Sequence, residues 1–193
     1  MKKPTEKEPT IELQELDTQT FDITLTGISP LVIHQFSTKT KKAIAEKSQG
    51  KGTRVKKIFN EEEDYQECFY DTVDGNYGFP ALAFKKAVVN SVSSIQGMTK
   101  VLMRQLFHIP VLLVAIQGEP ERYRAPVRVN GKGIIRIRPM FREWNTTFTV
   151  LYNAAATTPA LIYNLFNHAG FSVGVGEHRP EKDGQFGMFK VKK

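Results

Sequence analysis

Cysteine is almost missing from this chain of 193 residues, with Cys68 the only one. A single thiol excludes an intramolecular disulfide and a four-thiolate metal site, and it suits a reducing compartment. Tryptophan is as scarce, with Trp144 alone. No apolar run approaches the roughly 18 residues that a membrane-crossing helix needs. The opening stretch "MKKPTEKEPTIELQELD" has two lysines but no apolar segment behind them, so it does not read as a secretory signal. Neither end carries a lipid-anchor pattern. The expectation is a soluble, cytoplasmic protein with no membrane partner.

Positive charge is what the chain has in plenty. Lysine and arginine number 27 against 20 aspartates and glutamates, a net charge of +7 at pH 7. Such an excess suits a polyanionic partner, nucleic acid or an anionic surface. With 40% hydrophobic residues, the composition fits one domain with a substantial core. Residues 1–18 are polar, mixed in charge and punctuated by Pro4 and Pro9, which reads as a flexible arm. Residues 19–193 read as a single domain. Within it, "FSTKTKKAIAEKSQGKGTRVKKIFN" sets Lys39, Lys41, Lys42, Lys47, Lys51, Arg54, Lys56 and Lys57 against Glu46. Its centre, "SQGKG", is loop chemistry, and the "NEEEDYQE" that follows reverses the sign. We read 36–77 as an insertion projecting from the body, holding a short helix or hairpin.

The remaining pattern alternates strands and helices. "FDITLTGI" (21–28) places apolar and polar side chains in turn, as a half-buried strand does. "SPLVIH" ends that strand or carries it past a proline kink. "GFPALAFKKAVVNSVSSIQG" has helical spacing at Phe84, Val88, Val92 and Ile95, with Pro80 at the first helical position and Gly97 as the stop. "IPVLLVAIQG" (109–118) reads as a strand buried on both faces. "VRVNGKGIIRIRP" carries an Asn-Gly turn between alternating arms, a hairpin signal. "TTFTVLYN" (146–153) is a strand, and "TPALIYNLFNHAG" (158–170) a helix capped by Thr158, opened by Pro159 and stopped by Gly170. "GQFGMFKVK" (184–192) supplies a last strand. This order is βαββαβ with decorations: an α+β, ferredoxin-like (RRM-like) core with a basic insertion after the first strand. Its two helices would cover one sheet face. The other, if basic and aromatic, would offer single-stranded nucleic acid a platform.

Candidate binding residues follow from charge and spacing. Arg136 and Arg138 stand two apart in "IIRIRP", so one side of a strand presents both. Arg122, Arg124, Arg128, Lys132 and Arg142 surround them. Arginine binds phosphate bidentately and stacks on bases, which makes Arg136, Arg138 and Arg142 candidate contacts. Lys85 and Lys86 sit early in a helix, where cations oppose its dipole unless an anion docks there. The loop "GVGEHRPEKDGQFG" gathers Gly174, Gly176, Gly184 and Gly187 around Arg179 and Lys182, which could close over an anion. An ordinary helix–strand connection explains the same glycines. The spacing is neither GxxxxGK[ST] nor a GxGxxG after a strand, so no cofactor is expected. In the insertion, Lys41, Lys42, Arg54, Lys56 and Lys57 would wrap the far side of a bound strand. Phe141, Trp144 and Phe186 are candidate stacking rings, with the core as the alternative and the favoured one for Phe186. Four consecutive carboxylates at 61–64 cannot converge on one ion, so no metal is expected.

Two stretches carry a resemblance. "GVGEHRPEKDGQFG" resembles the C-terminal glycine-rich loop of the RAMP superfamily, and "FPALAFKKAVVNSV" resembles the opening of the first helix in its Cas7-like members. The resemblance implies an RRM-like core that binds single-stranded RNA, or DNA in a stand-alone or phage-encoded relative, and that polymerises along the strand without catalysis. It also implies that 36–77 is a finger contacting nucleic acid or a neighbouring protomer. Because some of these proteins cleave RNA without metal, an endoribonuclease is an alternative, with His34 as base and His178 as acid. A protein-interaction module binding an acidic partner, such as an inhibitor or assembly factor, is the third reading.

Overall fold

The computed structural model describes residues 15–35, 45, 48, 60–129 and 132–192, of which 127–129 and 132 enter by backbone alone. Among these residues the chain is mixed α+β, with three antiparallel sheets and four helices.

The largest sheet comprises β1 (Thr18–Gly27), β5 (Phe107–His108), β9 (Asn145–Asn153) and β10 (Phe189–Val191), in the order β10-β1-β9-β5. Alternation decides its faces. Ile23 and Leu25 of β1 and Phe148, Val150 and Tyr152 of β9 are buried. Helices α2 (Ala81–Ser91) and α4 (Pro159–Ser172) cover that side. Phe84 of α2 and Phe166 of α4 meet Phe148 of β9, with ring centroids 5.4 and 6.0 Å apart. The opposite face is a threonine surface. Thr24 and Thr147 share a hydroxyl hydrogen bond of 2.9 Å, and Thr149 donates to Asp22 at 2.7 Å. Among the described residues it carries no arginine and is not the basic, aromatic platform expected, because the alternating positions outside the core are mostly threonines, with Asp22, Leu151 and a single cation, Lys190, among them.

A second sheet, in the order β2-β8-β7, pairs β2 (Leu31–Val32) with a long hairpin, β7 (Pro120–Val129) and β8 (Lys132–Phe141). Its register runs from Pro120 opposite Phe141 to Val129 opposite Lys132. The expected Asn-Gly turn, at 130–131, lies outside the described residues. In the third sheet β4 (Asn76–Pro80) lies between β3 (Tyr70–Val73) and β6 (Leu113–Ile116).

Several expectations are corrected. Residues 109–118 do not form a strand buried on both faces. Pro110 and the 90% exposed Leu112 belong to a connection, and the four-residue β6 is an edge strand burying only Val114 and Ile116. Pro80 precedes α2 rather than opening it, and the helix gives way to a 3-10 turn at Val92–Ser94 before Gly97 (φ +81°). Helix α3 (Lys100–Leu106), capped by the Thr99 side chain, was not foreseen. Thr158 caps α4 as expected, but the helix runs through Gly170 to Ser172. That glycine is small because β10 crosses it: a Cβ there would lie 2.0 Å from the Phe189 carbonyl oxygen. The last strand is only Phe189–Val191, and 184–188 belong to the loop before it.

Candidate nucleic-acid interface

The glycine-rich loop packs against the protein itself. Gly174, Gly176 and Gly187 have φ of +67°, +79° and +66°, a region costly for residues with a Cβ. A Cβ on Gly187 would fall 1.7 Å from the Val175 carbonyl oxygen, and one on Gly184 1.8 Å from that of His178. The backbone is bonded accordingly. Gly187 N–H donates to Pro30 (2.7 Å), Val175 N–H to Gly187 (2.9 Å) and Glu177 N–H to Val32 (2.9 Å). The loop thus clamps onto β2 and aims Glu177 at the second sheet.

Glu177 is the centre of a part-buried network. One carboxylate oxygen meets His34 Nδ1 at 2.9 Å and the other accepts from Arg138 Nε at 3.1 Å. Arg138 also donates to the Ile137 carbonyl (3.0 Å) and lies 3.7 Å from Cys68 Sγ. Burial pushes the Glu177 carboxyl up, but the His34 hydrogen bond and the Arg138 charge outweigh it and hold the group below its ordinary range. Burial pushes the Cys68 thiol up, against the pull of Arg138, so this cysteine is not an activated nucleophile. Tyr70 hydroxyl donates to the His34 carbonyl at 3.1 Å.

The other expected arginines are also matched by carboxylates. Arg136 pairs with the buried Asp64 (3.5 Å) and Arg142 with Glu121 (2.7 Å). Arg179 turns into its own loop, donating to Glu181 (2.7 Å) and the Gly176 carbonyl (3.1 Å). Helix α1 (Glu61–Gln66), capped by Asn60, supplies further partners: Glu62 bonds Arg122, and Glu61 lies 3.9 Å from Arg124. The acidic run is therefore a counter-charge for the hairpin. Lys85 donates to the Arg104 carbonyl (3.1 Å), meets His108 Nδ1 at 2.9 Å and lies over the Phe107 ring. Burial lowers its pKa, and its ammonium is engaged by α3 and β5. Lys86 and Lys182 are exposed and make no ion pair among the described residues.

Two of the expected stacking rings are core. Phe141 is fully buried, and Trp144 is buried with its indole N–H donating to the Ser29 carbonyl at 2.9 Å. Phe186 packs edge-on with Tyr123 and His178, whose centroids lie 5.6 and 6.2 Å away. His178 has φ +53°, and its Nε2 is buried without a hydrogen-bond partner. His34 and His178 thus occupy different settings, one on a carboxylate and one among rings.

Lys41, Lys42, Arg54, Lys56 and Lys57 lie outside the described residues. Charge arithmetic singles their segment out nonetheless. Residues 36–59 hold eight lysines and arginines against Glu46, and elsewhere 19 basic residues face 19 acidic ones. The whole excess of +7 thus belongs to this one stretch.

Sequence reasoning missed Glu177, Asp64 and Cys68, and the ring-lined surface at Tyr65, Phe69 and Tyr77. The sign reversal after residue 60 was the available signal, since an acidic run beside unmatched arginines invites pairing. Compared with protein-family models and with curated proteins, the chain matches none.

Proposed function

We propose that the chain binds single-stranded nucleic acid, RNA in preference to DNA, without cleaving it, and that copies assemble along the strand as RAMP-type, Cas7-like protomers. The observation that carries this reading is the concentration of the entire net charge in residues 36–59. A body that neutralises its own arginines needs no such segment for solubility. A polyanion does use it, because each phosphate neutralised releases condensed counterions. The fold supports the reading. We read β1–α2–β5 and β9–α4–β10, which share a sheet ordered β10-β1-β9-β5, as the two halves of a ferredoxin-like βαββαβ core.

The test is anisotropy binding to labelled single-stranded RNA and DNA across a salt series. Log affinity is expected to fall linearly with log salt, at about −0.7 per phosphate contacted. Weak binding indifferent to salt would sink the proposal and favour an acidic protein partner.

A second reading, a metal-independent endoribonuclease, has one observation behind it. His34 is oriented by Glu177, which Arg138 holds in turn, the base-and-orienter arrangement of general acid–base catalysis. RNA shortened in the presence of chelator, and left intact by His34→Ala, would favour it.

A further inference from the structure

Between Asp74 and Glu119 the chain has no aspartate or glutamate, while Lys85, Lys86, Lys100 and Arg104 fall inside that span. The same span holds five of the nine large apolar side chains exposed among the described residues: Leu82, Val101, Leu102, Val111 and Leu112. Leu112 keeps 90% of its surface open and Leu82 56%. Cations without carboxylates and aliphatics without cover thus share one stretch.

The fold gathers part of that stretch into one patch. Leu82, Lys85 and Lys86 are three and four residues apart on α2, so they lie on one side of the helix. Lys85 reaches the Arg104 carbonyl and His108, which sets the end of α3 and β5 beside that side. Ala81 N–H donates to the Leu112 carbonyl at 3.0 Å, which brings the 109–112 connection to the start of α2. Lys86, Lys100 and Arg104 make no ion pair among the described residues. In this they differ from the hairpin arginines, which meet carboxylates.

The side chains select the partner. Phe84 and Phe107 are buried, so the patch shows aliphatic groups and no ring on which a base could stack. It has no exposed tryptophan or phenylalanine to anchor in a bilayer, and α3 is a short helix of seven residues. A second copy is the poorer match, because the acidic run of α1 already engages the hairpin. We propose that this patch docks another protein, one that presents aliphatic side chains among carboxylates. Its leucines would supply the buried contact and its free cations the orientation.

The probe is a labelled peptide with leucine on one helical face and glutamate on the other, compared with a polyglutamate peptide of the same charge. Unaltered protein is expected to bind the leucine-bearing peptide about 5- to 30-fold tighter, the effect of one or two anchor side chains. Leu82→Ser with Leu112→Ser, both at exposed positions, is expected to abolish that preference and leave polyglutamate binding and the melting temperature unchanged. Equal binding of the two peptides, or a preference that survives the double substitution, overturns the proposal. So does the double substitution weakening the binding of phosphatidylserine vesicles or of a single-stranded oligonucleotide, or breaking a dimer seen by sedimentation. Those results would give the patch to a membrane, to nucleic acid or to a second copy.

Discussion

Glu177 and Arg138 meet at 3.1 Å although 39 residues separate them, one on the glycine-rich loop and the other on the hairpin. Arg138 keeps only 11% of its side-chain surface exposed and Glu177 32%. The loop exists in this shape so that a carboxylate stands where the hairpin buries a guanidinium. Glu177→Ala strands that cation. The expected cost is about 2 kcal/mol, less than a fully buried pair because water still reaches the site. Urea unfolding checks it, and an unchanged midpoint would show that Arg138 needs no partner.

The same pair sets an acid limb. Burial raises the Glu177 carboxyl, but the His34 hydrogen bond and Arg138 together hold it below 4.5. A carboxyl with a depressed folded pKa stabilises the fold above its unfolded pKa, and that contribution is lost as pH falls through the folded value. Stability is therefore expected to decline from about pH 4.5 downward, and Glu177→Gln to flatten the decline. Glu62, also held low by Gln66 and Arg122, leaves part of the limb in place. Unfolding midpoints between neutral and acidic pH decide it; identical limbs in both proteins would remove Glu177 from the account.

Two glycines separate backbone strain from collision. Gly75 has φ +75° with open space where a Cβ would go, so Gly75→Ala is expected to cost about 1 kcal/mol. In Gly187→Ala the new carbon meets the Val175 carbonyl, and the loop that delivers Glu177 must shift. Its melting temperature is expected to fall well beyond the roughly 2–4 °C that 1 kcal/mol produces in a chain of this size. Equal melting points would mean that the loop relaxes freely.

Trp144 is the only tryptophan and lies in the core. Its emission is expected to stay unchanged when oligonucleotide is added, and to shift in Gly27→Ala, whose Cβ would strike the indole. Quenching by the strand would place a base on this ring after all.

Charge substitutions divide the basic residues by role. Gln at Lys41, Lys42, Lys56 and Lys57 is expected to make the salt slope shallower by up to about 0.7 per side chain in contact. Arg136→Ala with Arg138→Ala is expected to lower stability more than slope, because Asp64 and Glu177 already occupy both cations. A slope set by the arginine pair would reverse that assignment.

Local chemistry was legible in the sequence. Thr158 capping α4, the alternation of β1 and β9, and the paired arms of the β7–β8 hairpin all express short-range rules that a single stretch contains. Gly170 was misread because glycine signals a helix stop locally, whereas here its smallness answers to Phe189. The arginines looked available for the same reason. Their partners Asp64 and Glu177 lie 72 and 39 residues away, and no periodicity encodes such a meeting. The ring-lined surface was illegible too, since Tyr65, Tyr70 and Tyr77 come from a helix and two strands that are distant in pattern and meet only in the fold.

The pairing of β1 with β9 and β10 also has a consequence in time. Residues 18–27 are translated long before 145–153 and 189–191, so the first strand emerges with neither neighbour in existence. Until then its amides and its apolar side are open to any other partner. Contacts this distant in sequence make folding slow, and they delay the closing of the sheet until residues 189–191 have left the ribosome.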